Sequence, residues 1–594
     1  MSSADDLLTA FLEANEVDQV LSSFAAFAAI AGVDPEGDCG LEVYARLRKT
    51  TRSSVRKFKL RRIFDVLDKE LDKRRALVAD DGASYPSLDV SEDPDEDVED
   101  DVQANAHANR PMRIVVSGAG PVGLRSALEN ALLGHEVVVL EKRERFSRVN
   151  ILMFWQATMD DMVSLGAKLF YPKLQVHGSP LHMGTREIQL CLLKTALLFG
   201  VQVRYATSLR ALRFDAELET WAAIATSSAP ARTEGALRRL SGRVADALSF
   251  KPKKTADYEA TFRCNMVDNP QLDPTFLKGV ATAEEKEVSF DSLIVAEGEW
   301  SQSLRKLGFQ KSVDRFSRAI GIVINMDYDP SKPDEAALES FALGISPKQN
   351  AVKERLKESG IFIENIEYLK GTTHYIVATL WKTSSLLDHG VLREGASAGQ
   401  DLLRAENVDF TALQDFARIM ATAVGIPEET PFCAWNPIQL FDFSTRARAM
   451  SPSKILMTDS SNEPLILDEL GSEDEIPKNA ALVMPVGDAL LEPFWPQGLG
   501  SNRGFHGAID AAYACLRFRT AGLYEGYVSR AFSYLCMNMY AWTKPTMVIQ
   551  NWSAWSADPA TRYTWTVVDT AKKQSGRILG YDLPPTVFRR FTKK

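Results

Sequence analysis

Residues 113–143, RIVVSGAGPVGLRSALENALLGHEVVVLEKR, limit the possible folds of this chain more than any other stretch. Arg113 to Val116 is a short apolar run of the kind that forms a strand buried on both faces. Gly118, Gly120 and Gly123 follow as G-x-G-x-x-G. Leu124, Ala127, Leu128, Ala131 and Leu132 then recur at helical spacing, Gly134 is placed to end the helix, and Glu136 to Leu140 is a second apolar strand. Glu141 comes 18 residues after Gly123. This order predicts a dinucleotide-binding strand–turn–helix–strand unit. The first glycine makes the tight turn, the second admits a pyrophosphate against the backbone, and the third lets helix and strand pack closely. The helix N-terminus offers unpaired N–H groups to phosphate, and Glu141 is placed to bind ribose hydroxyls.

With 594 residues, 45% of them hydrophobic, the chain has the length for two to four domains. A net charge of −10 argues against wholesale nucleic-acid binding. Cys39, Cys191, Cys264, Cys433, Cys515 and Cys536 are scattered, with no C-x-x-C pair and no metal-ligand spacing, which suits buried thiols in a reducing compartment. The N-terminus lacks a signal-peptide pattern, and Val20 to Gly32 is too short to span a bilayer. The expected setting is cytoplasmic, with no membrane span and no metal.

Residues 1–78 read as an N-terminal helical segment. Within it, basic residues from Arg46 to Arg62 come without an acidic one, so they form either a solvated face or a docking surface for an acidic partner. Residues 79–110, including SEDPDEDVEDDV, are too acidic and too poor in apolar residues to order, and read as a linker. The main domain is expected over 111–575, followed by a tail at 576–594. Its cofactor-binding parts fall at about 111–220, 285–315 and 480–530, with a substrate-side sheet subdomain at about 316–450. Met159 to Gly166 and Thr185 to Leu198 are helical by periodicity, and Val288 to Ala296 and Ala480 to Val486 read as strands. Residues 225–256 and 456–477 read as surface excursions.

Three strands therefore end in distinctive residues: the glycine fingerprint, Glu297-Gly298 and Gly487-Asp488. In a doubly wound sheet ligands bind at the carboxyl ends of strands, so the three ends are expected to converge on one cofactor. Asp488 suits the hydroxyls of a flavin's ribityl chain. Gly498, Gly500 and Gly504 open a small-residue helix whose N-terminal dipole can stabilise an anionic reduced flavin.

The order of these motifs resembles the class A flavoprotein monooxygenases of the p-hydroxybenzoate hydroxylase type. It is most similar to the monooxygenase domain of MICAL proteins. GAGPVGLRSALENALLGHEVVVLEKRERFSRVNILMFW, TREIQLCLLKTALLFGV, IENIEYLKGTTHYIVATLWKTSSLLDHGV, FDFSTRARAM, GDALLEPFWPQGLGSNRGF and SADPATRY carry the likeness in collinear order. VYARLRKTTRSSVRKFKLRRIFDVLDK resembles the helical lead-in of such domains. The resemblance implies an α/β fold: a Rossmann-like FAD-binding domain with an inserted mixed β-sheet monooxygenase subdomain and an N-terminal helical segment.

The resemblance further implies non-covalent FAD, NADPH as co-substrate, and O₂ activated as a C4a-hydroperoxyflavin. The oxygen would pass to methionines of filamentous actin or leave as H₂O₂. By the same resemblance Glu141 and Arg143 bind the adenosine ribose and a nearby phosphate. Arg148 and Asn150 line the FAD, Asn150 toward the isoalloxazine, with Arg186, Gln189 and Tyr368 as further contacts. Asp488 is the late-motif carboxylate, and Trp495 lies near the flavin ring and influences substrate access. Two departures stand out: Glu297-Gly298 where the family usually has Asp-Gly, and Val122 where MICAL proteins usually have Cys. Actin filaments are the expected partner of a monomeric, cytoskeleton-associated chain. A small-molecule aromatic hydroxylase and a flavin-holding scaffold without turnover are the alternative readings.

Overall fold

The computed structural model describes residues 3–86, 110–175, 181–227, 270–315, 320–342, 346–381, 383–395, 402–434, 436–442, 445–470, 479–492, 500–539 and 557–579. Its centre is a seven-stranded sheet ordered β17-β16-β18-β9-β1-β2-β5. The strands are β1 (Arg113–Ser117), β2 (Glu136–Leu140), β5 (Gln202–Arg204), β9 (Ser292–Val295), β16 (Lys454–Thr458), β17 (Pro464–Leu467) and β18 (Ala481–Pro485). From β18 to β5 every pairing is parallel, while β16 and β17 add antiparallel at one edge.

The apolar runs of these strands are buried on both faces, as parallel strands require. Ile114, Val116, Val137, Val139, Ile294, Leu482 and Met484 point into a core shared with helices. Val115, Leu140, Leu293, Val295 and Val483 point into a second core. That second face is covered by an antiparallel sheet of β6 (Thr207–Asp215), β7 (Thr220–Ser227) and β8 (Lys286–Phe290), not by helices as a doubly wound sheet would have. The stretch expected as one strand over Val288 to Ala296 is thus divided. Its alternating half joins this covering sheet and its apolar half is β9. Trp221, in the residues 111–220 boundary region, is 1% exposed and its indole N–H donates to Asn479 O at 3.0 Å.

The inserted unit is a four-stranded sheet, β12-β13-β11-β14, antiparallel throughout. Its strands are β11 (Ile320–Asp327), β12 (Ile363–Lys370), β13 (Thr373–Leu380) and β14 (Ile438–Asp442). Helices Pro347–Glu358 and Phe410–Val424 cover one face, where Ile322, Ile324, Ile366, Ile376 and Ala378 lie. The other face presents Val323, Leu369 and Tyr375 to Ile151 of a short two-stranded antiparallel sheet, β3 (Ile151–Met153) and β4 (His182–Gly184). A two-stranded ribbon of β10 (Lys311–Arg315) and β15 (Thr445–Ala449) joins the inserted sheet to the central one.

Four N-terminal helices, α1 (Ala4–Glu13), α2 (Val17–Ala29), α3 (Leu41–Ser54) and α4 (Phe58–Asp80), share the helix-side core. Tyr44 stacks on Phe199 at 4.4 Å, and the Lys194 ammonium donates to Leu12 O at 2.7 Å. Much of the basic run is neutralised within the segment. Arg48 and Arg52 each lie 3.0 Å from Asp68, and Arg46 lies 2.7 Å from Asp38.

The folded segment continues past residue 78. Helix α4 ends at Asp80, Ala83 is buried, and Tyr85 donates its hydroxyl to Leu132 O at 2.6 Å. The acidic residues 87–109 lie outside the described residues, as do 228–256 of the 225–256 excursion. The reading of 456–477 as a loop needs correction up to residue 470: β16 and β17 form an antiparallel hairpin there. Asp459 accepts the Ser461 and Glu463 N–H groups at 2.7 and 2.9 Å, and Asn462 turns the chain at φ +59°. Those polar turn residues masked two four- or five-residue strands. Residues 471–478 lie outside the described residues. At the C-terminus helix Trp565–Leu579 crosses the expected boundary at 575, and 580–594 are not described.

Candidate functional site

The carboxyl ends of β18, β9, β1, β2 and β5 lie side by side, with Pro485 beside Val295, Val295 beside Ser117 and Ser117 beside Leu140. The glycine fingerprint, Glu297-Gly298, Gly487-Asp488 and Glu141 all follow directly from this row. The chain steps from β1 to β2 and β5 on one side and to β9 and β18 on the other. The switch point therefore lies between β1 and β9, where a crevice for a ligand is expected.

The fingerprint turn is held from several directions. Gly118 adopts φ +108°, and a Cβ there would meet Ala296 O at 2.5 Å. A Cβ on Gly123 would meet Gly118 O at 2.0 Å. Gly120 differs: a Cβ there would touch no atom of the protein within 4 Å. The same is true of Gly298, at φ +80°. Two glycines thus border open space beside the strand ends, which fits a pyrophosphate drawn close to the backbone. Both backbone groups of Ala119 are secured. Its N–H donates to Glu141 Oε2 at 2.8 Å, and its carbonyl accepts from Gln189 Nε2 at 2.8 Å. Glu141 also accepts the Arg143 N–H at 2.9 Å, and the half-exposed Arg143 guanidinium lies 3.7 Å from it.

A second helix N-terminus meets the first. Helix Gly500–Ala521 packs against the fingerprint helix Pro121–Leu132 through Val122. A Cβ on Gly504 would lie 2.5 Å from Val122 Cγ2, and one on Gly487 would lie 3.2 Å from Val122 Cβ. Val122 is a contact point between the two motifs. In the next turn Asn502 Oδ1 accepts the Trp155 N–H at 2.8 Å, and Asn502 Nδ2 and Ser501 Oγ donate to Met153 O at 3.1 and 3.2 Å. The β3–β4 pair, with Asn150 just before β3, is thereby tied to the start of helix Gly500–Ala521. The Asn150 carbonyl accepts the Thr185 N–H and hydroxyl at 2.8 and 2.7 Å.

Asp488 sits among charges of both signs. Burial, Glu299 and Glu492 push its carboxyl up to about 6, against the opposing pull of Arg148 and Arg503. Arg503 is buried and donates to the carbonyls of Leu491 and Glu492 at 3.1 and 2.6 Å. Two helix N-termini, two arginines and a carboxyl held above the usual carboxylate range make the region suited to phosphate and to a flavin gaining negative charge.

Several expected contacts are placed otherwise. The Glu297 carboxylate turns into the protein. It accepts hydroxyl hydrogen bonds from Ser117, Ser301 and Ser303 at 2.6, 2.8 and 2.6 Å, and the Ser303 N–H at 3.2 Å. It thus braces the start of helix Gln302–Lys306, whose N-cap is Ser301, and the open position beside it is the backbone of Gly298. Tyr368, expected as a further cofactor contact, lies on β12. Strand parity puts it with Ile366 and Ile376 on the helix-covered face, opposite Tyr375 and Ile151, and its hydroxyl pairs with His374 Nδ1 at 2.8 Å. The Arg186 guanidinium pairs with Glu16 at the start of α2. Trp495 and Gly498 lie outside the described residues.

A buried ionic chain was not foreseen. Arg125 Nε lies 2.8 Å from Asp161, Arg125 Nη1 lies 2.8 Å from Glu129, and Arg74 of α4 lies 3.0 Å from Glu129. Its only sequence signal is Arg125 and Glu129 at i and i+4 in an otherwise apolar helix. Lys311 and Glu492, 3.0 Å apart, also escaped notice.

Among known families, the model described as "Mical, Rossman domain" matches residues 318–429. In this chain those residues form most of the inserted antiparallel sheet and its helices, not the glycine fingerprint. The F-actin monooxygenase MICAL1 of Bos taurus is 30% identical over 93% of this chain and 42% of its own length. The F-actin monooxygenase Mical of Drosophila melanogaster is 32% identical over 76% of this chain and 8% of its own. The chain thus spans less than half the length of these relatives. The solved anhydrotetracycline hydroxylase OxyS of Streptomyces rimosus aligns at 14% identity and TM-score 0.40 over 80% of this chain and 76% of its own. Kinship therefore rests on the sequence relatives: over most of its length the chain is similar to part of the MICAL proteins.

Proposed function

We propose that the chain is an FAD-dependent, NADPH-consuming monooxygenase that oxidises protein methionine, with filamentous actin as its substrate. The observation that carries the reading is the open space over Gly120 and Gly298, set between two helix N-termini at one row of strand ends. Residues 111–220, 285–315 and 480–530 are the proposed cofactor-binding parts, and 316–450 the substrate side.

When bound, FAD supplies hydride acceptance and oxygen activation. The protein's share is placement. Gly118, Gly120 and the N-terminus of the fingerprint helix would receive the pyrophosphate. Glu141 and Arg143 would serve the adenosine end. Asp488 would bind the ribityl hydroxyls, and Asn150 and Arg148 would border the flavin. Val323, Leu369 and Tyr375 close the side toward the inserted sheet and exclude water. The actin substrate is inferred from the names of the relatives, and with it the chain would act in the cytoplasm beside filaments.

The test is the purified chain loaded with FAD. It should be yellow, should bleach with NADPH in the absence of oxygen, and should form methionine sulfoxide on added actin filaments in air. Retained flavin without bleaching would leave a binding scaffold. Bleaching and turnover stimulated by a phenol, with unmodified filaments, would leave a small-molecule hydroxylase.

A further inference from the structure

Glu492 occupies the point where the connecting ribbon, the late helix and the Asp488 loop meet. Its side chain is almost wholly buried. Oε1 accepts from Lys311 Nζ on β10 at 3.0 Å, and Oε2 accepts the Ala447 N–H on β15 at 3.2 Å. The Glu492 N–H donates to Ala447 O at 2.8 Å, and its carbonyl accepts from Arg503 Nη2 at 2.6 Å. Lys311 reaches further: the same ammonium donates to Glu299 O at 3.1 Å.

One ion pair therefore spans the two loops that follow β9 and β18, one carrying Gly298 and the other Asp488. The Glu297–Trp300 loop is held through the Glu299 carbonyl, and the Gly487–Glu492 loop through the Glu492 carboxylate. Both loops leave adjacent parallel strands, β9 and β18, and nothing in the strand pairing fixes their separation beyond Val295 and Pro485. A buried carboxylate is costly unless paired, so backbone closure alone does not account for a charge at this position. An ammonium bonded to both loops sets their distance.

We propose that Glu492 and Lys311 form a strut that fixes the separation of these two loops and so positions the flavin for hydride delivery. Both are positioning residues, and neither is placed against the reacting atoms. The proposal rests on the flavin reading above. A misplacement of about 1 Å at a reacting centre costs about 100-fold in rate, so a small change in loop separation is readable.

The experiment uses FAD-loaded protein in the forms wild type, Glu492→Gln, Lys311→Met, the double variant and Lys311→Arg. Three quantities are read: flavin retained per chain, the visible absorption band of the oxidised flavin, and the anaerobic rate of bleaching by NADPH. Expected are retained flavin, a shifted band and about tenfold slower bleaching in each single variant, with the double variant no slower than either single one. Lys311→Arg, which keeps the cation, should restore the wild-type band and most of the rate. A wild-type band and rate in Lys311→Met would overturn the strut, including where Glu492→Gln fails to fold or loses flavin. So would losses that add in the double variant. A wild-type chain that holds no flavin, or does not bleach, would instead overturn the flavin reading itself.

Discussion

Arg74 and Glu129 face each other in two parallel contacts, Nε to Oε1 at 3.0 Å and Nη2 to Oε2 at 3.1 Å, with neither side chain reaching solvent. The pair joins the N-terminal segment to the middle of the fingerprint helix, and Arg125 and Asp161 continue it. Burial alone would raise the Glu129 carboxyl, but Arg74 and Arg125 outweigh it and hold the group at about 2. Its contribution is therefore complete above the ordinary range near 4.5 and is lost only as pH falls through about 2. Removing one partner leaves the other charged and buried. Glu129→Gln and Arg74→Met should each cost about 3–5 kcal/mol, read as a lowered urea midpoint at neutral pH. An unchanged midpoint would mean the N-terminal helices are not part of the cooperative unit.

The fingerprint glycines should separate by cause. Gly123→Ala drives a Cβ to 2.0 Å from Gly118 O, so the backbone must shift and stability should fall by about 2–3 kcal/mol even without cofactor. Gly120→Ala meets no protein atom within 4 Å, so the cofactor-free chain should melt within about 0.5 kcal/mol of wild type. Its FAD affinity should nevertheless fall about tenfold or more, because the new methyl occupies space assigned to the pyrophosphate. Flavin titration followed by fluorescence, beside thermal melts of the cofactor-free chains, distinguishes the two. Equal flavin affinity in Gly120→Ala and wild type would remove the pyrophosphate from this turn.

The strands, the fingerprint and the convergence of the strand ends were legible because each depends on local pattern. Continuous apolar runs mark strands buried on both faces, and glycines mark turns where a side chain would collide. The covering sheet of β6, β7 and β8 was less legible. It replaces a helical layer only through pairings distant in sequence, and β8 and β9 are separated by one residue, Asp291. The position of Glu297 in the motif is visible in the sequence, and Ser301 and Ser303 lie close to it in the chain, whereas the hydrogen bond from Ser117 is recognisable only once β1 and β9 are adjacent. The face that Tyr368 takes was no more legible. A one-residue difference in strand parity sends a side chain to the opposite face.

Asp488 gives a pH signature. Burial, then Glu299 and Glu492, raise its carboxyl to about 6, while Arg148 and Arg503 act the other way. The folded chain therefore holds a proton over a range where the unfolded chain, near 3.8, has lost it. The sign follows: this group's contribution is most favourable below 3.8 and is lost as pH rises through about 6. In the cofactor-free protein Asp488→Asn should abolish that slope and add about 2 kcal/mol near pH 7. Glu492→Gln, which removes one of the two carboxylates facing it, should move the inflection to lower pH. Parallel melting curves for Asp488→Asn and wild type from pH 4 to 7 would contradict the assignment.

The filament substrate has a surface-charge test. Arg56, Lys57, Lys59 and Arg62 are exposed around Phe58, which is 76% exposed, at the start of α4. Arg48 and Arg52, by contrast, are engaged by Asp68. Cations at a helix N-terminus oppose the helix dipole and so cost rather than add stability, which makes a retained cluster more suited to an acidic partner than to the fold. Reversing Arg56, Lys59 and Arg62 to Glu should leave melting and filament-free NADPH oxidation close to wild type, since all three side chains are exposed on the N-terminal segment. The increase in oxidation on adding filaments should fall several-fold, and raising salt from 50 to 200 mM should reduce the wild-type increase far more than the variant's, as expected for exposed charges screened over about 8–10 Å. Filament stimulation that ignores both the reversal and the salt would place the docking surface elsewhere, on the inserted sheet or its covering helices.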